Sequence, residues 1–282
     1  MYLPYWIKAY DDLGNIYSCD MVRINIDFGH HIDLLHDYLN NTVKYKIDRY
    51  TSIKPFHYRY MNTIHINDDS FMLAYGFNTE GRINQTGVVE FNPNKLLQHD
   101  EFIDIWQKIK YWSYSMEVKR YDLAIDLPLP RHFVSMPKQG NKIYRLTQSD
   151  SVTETLGRHN NNGFTKLYDK TKESKLDYDC TRIEITLDIN SRAIEELPPI
   201  YIKDYQIAFK EENELSQNDK VFLRLLEDIE NPDFYLSQMT SRKKNKFKEF
   251  LNRKLFEPDD TSCEQIRYCV KGMERSIYET QC

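Results

Sequence analysis

The residues of this chain best placed to do chemistry lie on three short segments near its middle: 120–126 (RYDLAID), 163–170 (GFTKLYDK) and 181–187 (TRIEITL). Successive side chains of a strand point to opposite faces. In the first segment Tyr121, Leu123 and Ile125 form an apolar face, and Arg120, Asp122, Ala124 and Asp126 form the other. The third segment divides Ile183, Ile185 and Leu187 from Arg182, Glu184 and Thr186, and the middle one sets Leu167 against Lys166, Tyr168 and Lys170. If the strands are neighbours, one sheet face gathers three carboxylates, two arginines, two lysines and a tyrosine. Such a set suits a divalent cation and a phosphate. Asp122 and Asp126 stand about 13 Å apart on a flat strand at ~3.3 Å per residue, too far to grip one ion together. The expected metal pair is Asp122 with Glu184, whose oxygens suit Mg²⁺ or Mn²⁺. Asp126 is a further carboxylate of the set or a cap of the strand end near Pro128. The same residues also fit cross-strand ion pairs on a wet sheet face, and both readings stand.

Tyr168 shares its face with Lys166 and Lys170. A tyrosine so placed can be held near a phosphate, with its phenolate easier to form. The alternative is an ordinary half-buried strand tyrosine. Arg158 and His159 precede an asparagine-rich turn, where they reach a phosphate or simply stand in solvent. Arg242, Lys243, Lys244, Lys246 and Lys248 put five positive charges into eight residues. That run can bind DNA phosphates, and it equally describes a solvated helix face.

The elements that must position these residues follow from the hydrophobic period. Residues 21–28 alternate as a strand and echo residues 119–127, a pattern consistent with internal duplication. Residues 31–41 have helical spacing and stop at two asparagines. Alternating runs at 56–60, 63–66, 71–76 and 87–91 read as a meandering sheet. Asn92-Pro93-Asn94 opens a helix through Phe102, Trp106 and Ile109 to Trp112. A strand covers 118–127, ended by Pro128 and Pro130, and another covers 144–147. Residues 157–163 form a turn between strands, 170–175 a polar hairpin connection between the strands 164–170 and 181–188, and Pro198-Pro199 a linker. Beyond it, helices are expected around Val221–Ile229, over Ser241–Leu255 and from about Ser262 to Tyr278. The predicted organisation is an α/β body over 1–205 and a small helical C-terminal region over 206–282 that binds DNA or dimerises.

Composition narrows the classes. The 282 residues are 40% hydrophobic and 29% charged, which is ordinary for a globular chain. The longest apolar stretches are strand-sized, so no membrane span or membrane partner is expected. The N-terminus lacks a basic region followed by an apolar core, so no secretion signal is read there and the cytoplasm is the expected compartment. The five cysteines are irregularly spaced, with no Cys-x-x-Cys, which points to reduced thiols rather than a disulfide framework or zinc site. A net charge of −5 weighs mildly against a protein whose only task is binding nucleic acid. Phosphate-binding glycine loops and a serine nucleophile elbow are absent, which leaves ATPase, dehydrogenase and hydrolase readings without support.

Taken in order, three motifs resemble those of plasmid rolling-circle replication initiators of the Rep_trans type, and of related phage initiators and relaxases of Gram-positive conjugative elements. They are Arg-x-Asp-x-Ala-x-Asp (Arg120, Asp122, Ala124, Asp126), a turn with Arg158 leading into Tyr-Asp-Lys-x-x-Glu (Tyr168, Asp169, Lys170, Glu173), and Arg-x-Glu-x-x-Leu (Arg182, Glu184, Leu187). The resemblance covers about residues 71–190 and takes in Gly87–Phe91. It implies an α+β fold of antiparallel sheets with packed helices, like the nicking domain of initiators and relaxases. It implies a metal-dependent nicking-closing endonuclease acting on double-strand origin DNA and single-stranded DNA, dimeric and assisted by a host helicase. In that reading Asp122, Glu184 and Asp126 serve Mg²⁺ or Mn²⁺, Tyr168 attacks, and Lys170, Arg120 and Arg182 steady the phosphate. Arg158, Lys166 and the basic segment of Arg242, Lys243, Lys244, Lys246 and Lys248 contact DNA. One departure matters. Many members carry a tyrosine four residues before the Tyr-Asp-Lys triplet, and this chain has Phe164 there. Either Tyr168 attacks, or another tyrosine such as Tyr144 does, or the chain binds an origin without nicking.

Overall fold

The computed structural model describes residues 8–12, 14–41, 46–51, 58–79, 82–136, 140–148, 151–159, 161–188, 200–204, 216–227, 235–236, 238–256 and 261–278. Alternating sequences become strands of one large antiparallel sheet. Its members are β1 (Lys8–Tyr10), β2 (Ile16–Asp27), β3 (Lys46–Thr51), β4 (Tyr58–Ile66), β5 (Asp69–Thr79), β6 (Arg82–Phe91), β7 (Ser115–Leu127), β9 (Tyr144–Gln148), β10 (Val152–Leu156), β11 (Thr165–Asp169) and β12 (Thr181–Asp188). The order is β3-β4-β5-β6-β2-β7-β12-β11-β10-β9, with β1 paired to β2. A second sheet joins β8 (Val134–Ser135), β13 (Ile200–Asp204) and β14 (Asn252–Phe256). The fold is α+β, as the motifs imply.

The order contains a repeat. From the central pair β2–β7, one half runs β2-β6-β5-β4-β3 and the other β7-β12-β11-β10-β9. In each half the first strand is central, the chain crosses to the outer edge, and three hairpin steps bring it back. The echo between residues 21–28 and 119–127 falls on that central pair.

Register explains the two faces. Leu73 opposes Val89, Val89 opposes Ile24, Val22 opposes Tyr121, Leu123 opposes Ile185, and Ile183 opposes both Ile125 and Leu167. Directly opposed residues share a face, so one continuous apolar surface spans the sheet. Helices cover it. α1 (Ile32–Asn41) buries Ile32, Leu35 and Leu39, and α3 (Asp100–Trp112) buries Phe102, Ile105, Trp106 and Ile109. Phe102 packs edge-on to Phe71 at 5.1 Å and tilted to Phe91 at 4.9 Å. The last helix, α7 (Thr261–Tyr278), buries Ile266, Cys269, Met273 and Ile277 in the same core. Its Cys269 thiol donates to the Tyr17 carbonyl at 3.3 Å, and Val118 N–H donates to its Tyr278 hydroxyl at 3.1 Å. The C-terminal region therefore contributes a core element to the body.

Several local expectations differ from the structure. The single helix expected from Asn92 is two, α2 (Pro93–Leu96) and α3, because His99 adopts an extended conformation and its ring meets Asp69 at 3.2 Å. The 170–175 connection is a short helix, α4 (Lys170–Ser174), capped by the Asp169 carboxylate accepting from Lys172 N–H. α5 (Gln217–Glu227) forms, and the helix expected to Leu255 is α6 (Ser241–Leu251), after which the chain turns into β14. Strands β3 and β10 had no strong alternation to announce them. Pro198, Pro199 and Ile229 lie outside the described residues.

Gly87 on β6 has a packing reason. A Cβ there would stand 2.7 Å from Phe28 Cε2 and 2.9 Å from the Ala74 carbonyl oxygen, and Phe28 is fully buried. Gly87→Ala is expected to cost about 1–3 kcal/mol by overpacking. Urea unfolding would show a lowered midpoint at unchanged slope.

Candidate functional site

The face opposite the helices carries the charges, and the register sets them in rows. Asp126 opposes Arg182, which opposes Tyr168; Ala124 opposes Glu184, which opposes Lys166; Asp122 opposes Thr186. Asp122 and Glu184 are thus diagonal neighbours on adjacent strands, about 7–8 Å apart at Cα. The structure brings together Asp122, Asp126, Lys166, Tyr168, Arg182 and Glu184.

Arg182 sits in the middle, and only 11% of its side chain is exposed. Its Nε and Nη2 donate to the two oxygens of Asp126 at 2.6 and 2.7 Å, and its Nη1 donates to Asp20 Oδ1 at 3.0 Å. The guanidinium expected to steady a phosphate is therefore committed to carboxylates, and Asp126, expected near a metal or capping a strand end, is its bidentate partner. Asp20 was missed by sequence reasoning. It is the extra residue of a β-bulge, between Cys19 opposite Leu123 and Met21 opposite Asp122. The signal was present: the apolar residues that are buried run 17, 19 and then 22, 24, 26, so their alternation changes phase across Asp20. Asn92 holds this residue too, donating to Asp20 Oδ1 at 3.0 Å while its own oxygen caps α2.

Tyr168 is 4% exposed. Its hydroxyl donates to Glu184 Oε1 at 2.5 Å, and Lys166 Nζ lies 4.1 Å from its ring centre. The easier phenolate expected from neighbouring lysines is not found. Burial, and then the negative charge of Glu184, push the phenol well above its ordinary pKa. Burial also raises the Glu184 carboxyl, against the Tyr168 hydrogen bond and Lys166. Glu184 Oε2 stands 3.8 Å from Lys166 Nζ. Asp122 is raised by burial, opposed by a hydrogen bond from Thr186 and the charge of Arg120, and its Oδ1 is buried without a hydrogen-bond partner.

The remaining expected residues lie elsewhere. Lys170 Nζ donates to Glu173 at 2.5 Å and stands 5.9 Å from the Tyr168 ring. Arg120 is in the row of Arg23 and Glu90, 3.9 Å from the Glu90 carboxylate. That row is four residues along β7 from Ala124, about 13 Å from Glu184, so Arg120 is separated from Tyr168. Arg158 is exposed in the β10–β11 turn. Tyr144 is on the apolar-face parity, opposite Leu156, and its hydroxyl donates to Glu154 at 2.8 Å beside the buried Arg131–Glu154 pair. It faces away from Asp122 and Glu184, which removes it as the attacking residue. Lys243 and Lys246 on α6 pair with Asp219 at 3.6 and 3.0 Å. Arg242 is exposed and Lys244 half-buried, and the Lys248 side chain lies outside the described residues.

The described residues contain no group of three or more His, Cys, Asp or Glu side chains spaced to hold a metal ion. A two-carboxylate site remains chemically open, since Mg²⁺ keeps several waters and takes one or two carboxylates. The orphaned Asp122 oxygen and the Oε2 of Glu184 fit such a pair.

No family model matches the chain, and no curated protein matches it. Among solved structures, a rolling circle replication initiator protein from Geobacillus stearothermophilus is similar with a TM-score of 0.38 and 13% identity, over 64% of this chain and 77% of that one. Among the described residues, no helix is long and apolar enough to cross a membrane.

Removing the central cation leaves two carboxylates facing each other in a partly buried site. Arg182→Met is expected to cost about 3–5 kcal/mol. Thermal and urea unfolding would show the loss, with Asp126→Asn recovering part of it in the double variant.

Proposed function

We propose that this chain initiates DNA replication by nicking one strand of an origin. Tyr168 is the nucleophile and Glu184 the group that takes its proton. The observation that carries the reading is the 2.5 Å hydrogen bond from Tyr168 to Glu184 on the polar face, beside Lys166. A nucleophile within hydrogen-bond reach of its base is the geometry that covalent catalysis requires. The raised phenol makes the base necessary, because unaided ionisation is disfavoured. Tyr168 Oη would bond to phosphorus as the P–O3′ bond breaks. The phenol proton goes to Glu184, and the leaving 3′ oxygen takes a proton from water. Lys166 supplies positive charge next to the reacting oxygens. Asp122 and Glu184 would hold Mg²⁺ or Mn²⁺, which supplies charge neutralisation at the phosphate when bound. Double-strand origin DNA and the single strand it yields are the proposed partners, with a second copy of the chain and a host helicase in the same scheme.

A second reading, an origin binder that does not nick, is favoured by two observations: Tyr168 is 4% exposed, and Phe164 stands where the motif's other tyrosine would be. One assay separates the two. The protein is incubated with a labelled random-sequence single-strand pool and Mn²⁺, then run on a denaturing gel. Nicking gives a protein–DNA adduct that Tyr168→Phe abolishes and Glu184→Gln slows by about 10²–10⁴-fold. Binding with no adduct selects the second reading.

The carboxylate pair has its own check. Mn²⁺ that binds only the folded chain raises its melting temperature by linkage. Asp122→Asn is expected to melt no lower than the parent without metal, because it removes a buried carboxylate, and to lose the Mn²⁺-dependent rise.

A further inference from the structure

The edge hairpin β9–β10 presents a polar face unlike that of the central strands. Arg145 opposes Thr155, Thr155 opposes Lys166, and Lys166 opposes Glu184. Thr147 opposes Thr153 on the same side. Arg145 and Thr147 are exposed, and Thr153 and Thr155 are half-exposed. Among the described residues this face offers a guanidinium and three hydroxyls with no carboxylate among them. Glu154 points to the other side, where Arg131 and Tyr144 hold it. Charge complementarity therefore selects an anion over a cation. At about 4.8 Å per strand, Arg145 lies roughly 14 Å from Glu184, a distance a few nucleotides span.

Phe164 adds a second element. Thr186 N–H donates to its carbonyl at 2.9 Å while the Thr186 carbonyl accepts from Gly163, so Phe164 stands opposite Thr186 at a bulge just before β11, two residues from Lys166. The ring is half-exposed and meets the His159 ring edge-on at 5.3 Å. A basic track beside an aromatic ring is the pattern that holds an unpaired strand, with phosphates on the cations and a base on the ring. A duplex keeps its bases stacked and cannot use the ring.

We propose that the β9–β10 hairpin carries single-stranded DNA across the sheet edge, with phosphates on Lys166 and Arg145 and a base on Phe164. The proposal rests on the nucleic-acid reading above and adds the path of the strand. It is tested on the full chain by fluorescence anisotropy with labelled oligothymidine and, separately, a random-sequence duplex, over a series of salt concentrations. Arg145→Ala is expected to weaken oligothymidine binding several-fold and to reduce the slope of log K against log salt by about 0.7, one phosphate contact on a single strand. Arg145→Lys should restore the slope. Phe164→Leu should weaken binding at least about fivefold with the slope unchanged, because stacking releases no counterions. Melting curves check that each variant is folded. If the parent binds oligothymidine and Arg145→Ala binds it equally with the same slope, the path is wrong while the nucleic-acid reading survives. A loss confined to the duplex also overturns it. A parent chain that binds neither probe sinks both.

Discussion

One guanidinium holds two carboxylates of the polar sheet face together across three strands. Arg182 forms a bidentate bond to Asp126 and a third bond to Asp20. Bidentate charge-assisted pairs are the stronger kind of hydrogen bond. In a partly buried setting the loss of one partner costs more than the pair returns. The clamp ties β2, β7 and β12 together and fixes the bulge that presents Asp20. Its consequence for chemistry is a division of labour. Asp126 and Asp20 share the single positive charge of Arg182, whose hydrogen bonds do not extend to Asp122 or Glu184. Glu184 turns to Tyr168, and Asp122 keeps a buried oxygen with nothing to accept.

The two halves of the sheet treat the glutamates beside the central pair differently. Glu90 and Glu184 each lie on a strand next to the central pair but in different rows, since the residue opposite Arg120 in the second half is Asp188. Glu90 opposes Arg23, which donates to it at 3.1 Å. Glu184 opposes Ala124. A long cation in one half satisfies the glutamate from the central strand, and a methyl group in the other leaves it available to its outer neighbour. The outer neighbours differ in the same sense, Met72 opposite Glu90 and Lys166 opposite Glu184. The two halves thus hold one glutamate closed in an ion pair with Arg23 and one hydrogen-bonded to Tyr168.

The sequence made the central strands legible because both faces of each are defined by strict alternation. The rows containing Asp122, Glu184, Lys166 and Tyr168 follow directly from it. What the alternation could not supply was the sign of the Tyr168 shift. Lys166 and Lys170 are visible in the sequence, but the hydrogen bond to Glu184 depends on register between two strands, and burial depends on the whole sheet. Arg120 and Arg182 look equivalent as neighbours of aspartates, yet the register sends one to Glu90 and the other to Asp126. Asp20 required reading a phase change as a bulge. Strands β3 and β10 escaped because their order comes from pairing with neighbours rather than from their own pattern. The apparent helical tail contributed α7 to the core through the spacing of Ile266, Cys269, Met273 and Ile277, which marks an apolar stripe but not the surface it meets.

Charge balance links the proposed steps. Around Tyr168 five carboxylates, Asp20, Asp122, Asp126, Glu173 and Glu184, meet three cations, Arg182, Lys166 and Lys170. Burial already disfavours ionisation of Asp122 and Glu184, and a phosphate brought near them would add a further like charge. A divalent cation reverses both effects, since it favours the ionised carboxylates and attracts the phosphate. In the proposed scheme cation and DNA therefore bind this face cooperatively, each lowering the cost of the other. The polar face of the edge hairpin, which presents no carboxylate among the described residues, is under no such condition. It can hold a strand before the centre is ready, so binding at Arg145 and reaction at Tyr168 are separable in space and in their dependence on metal.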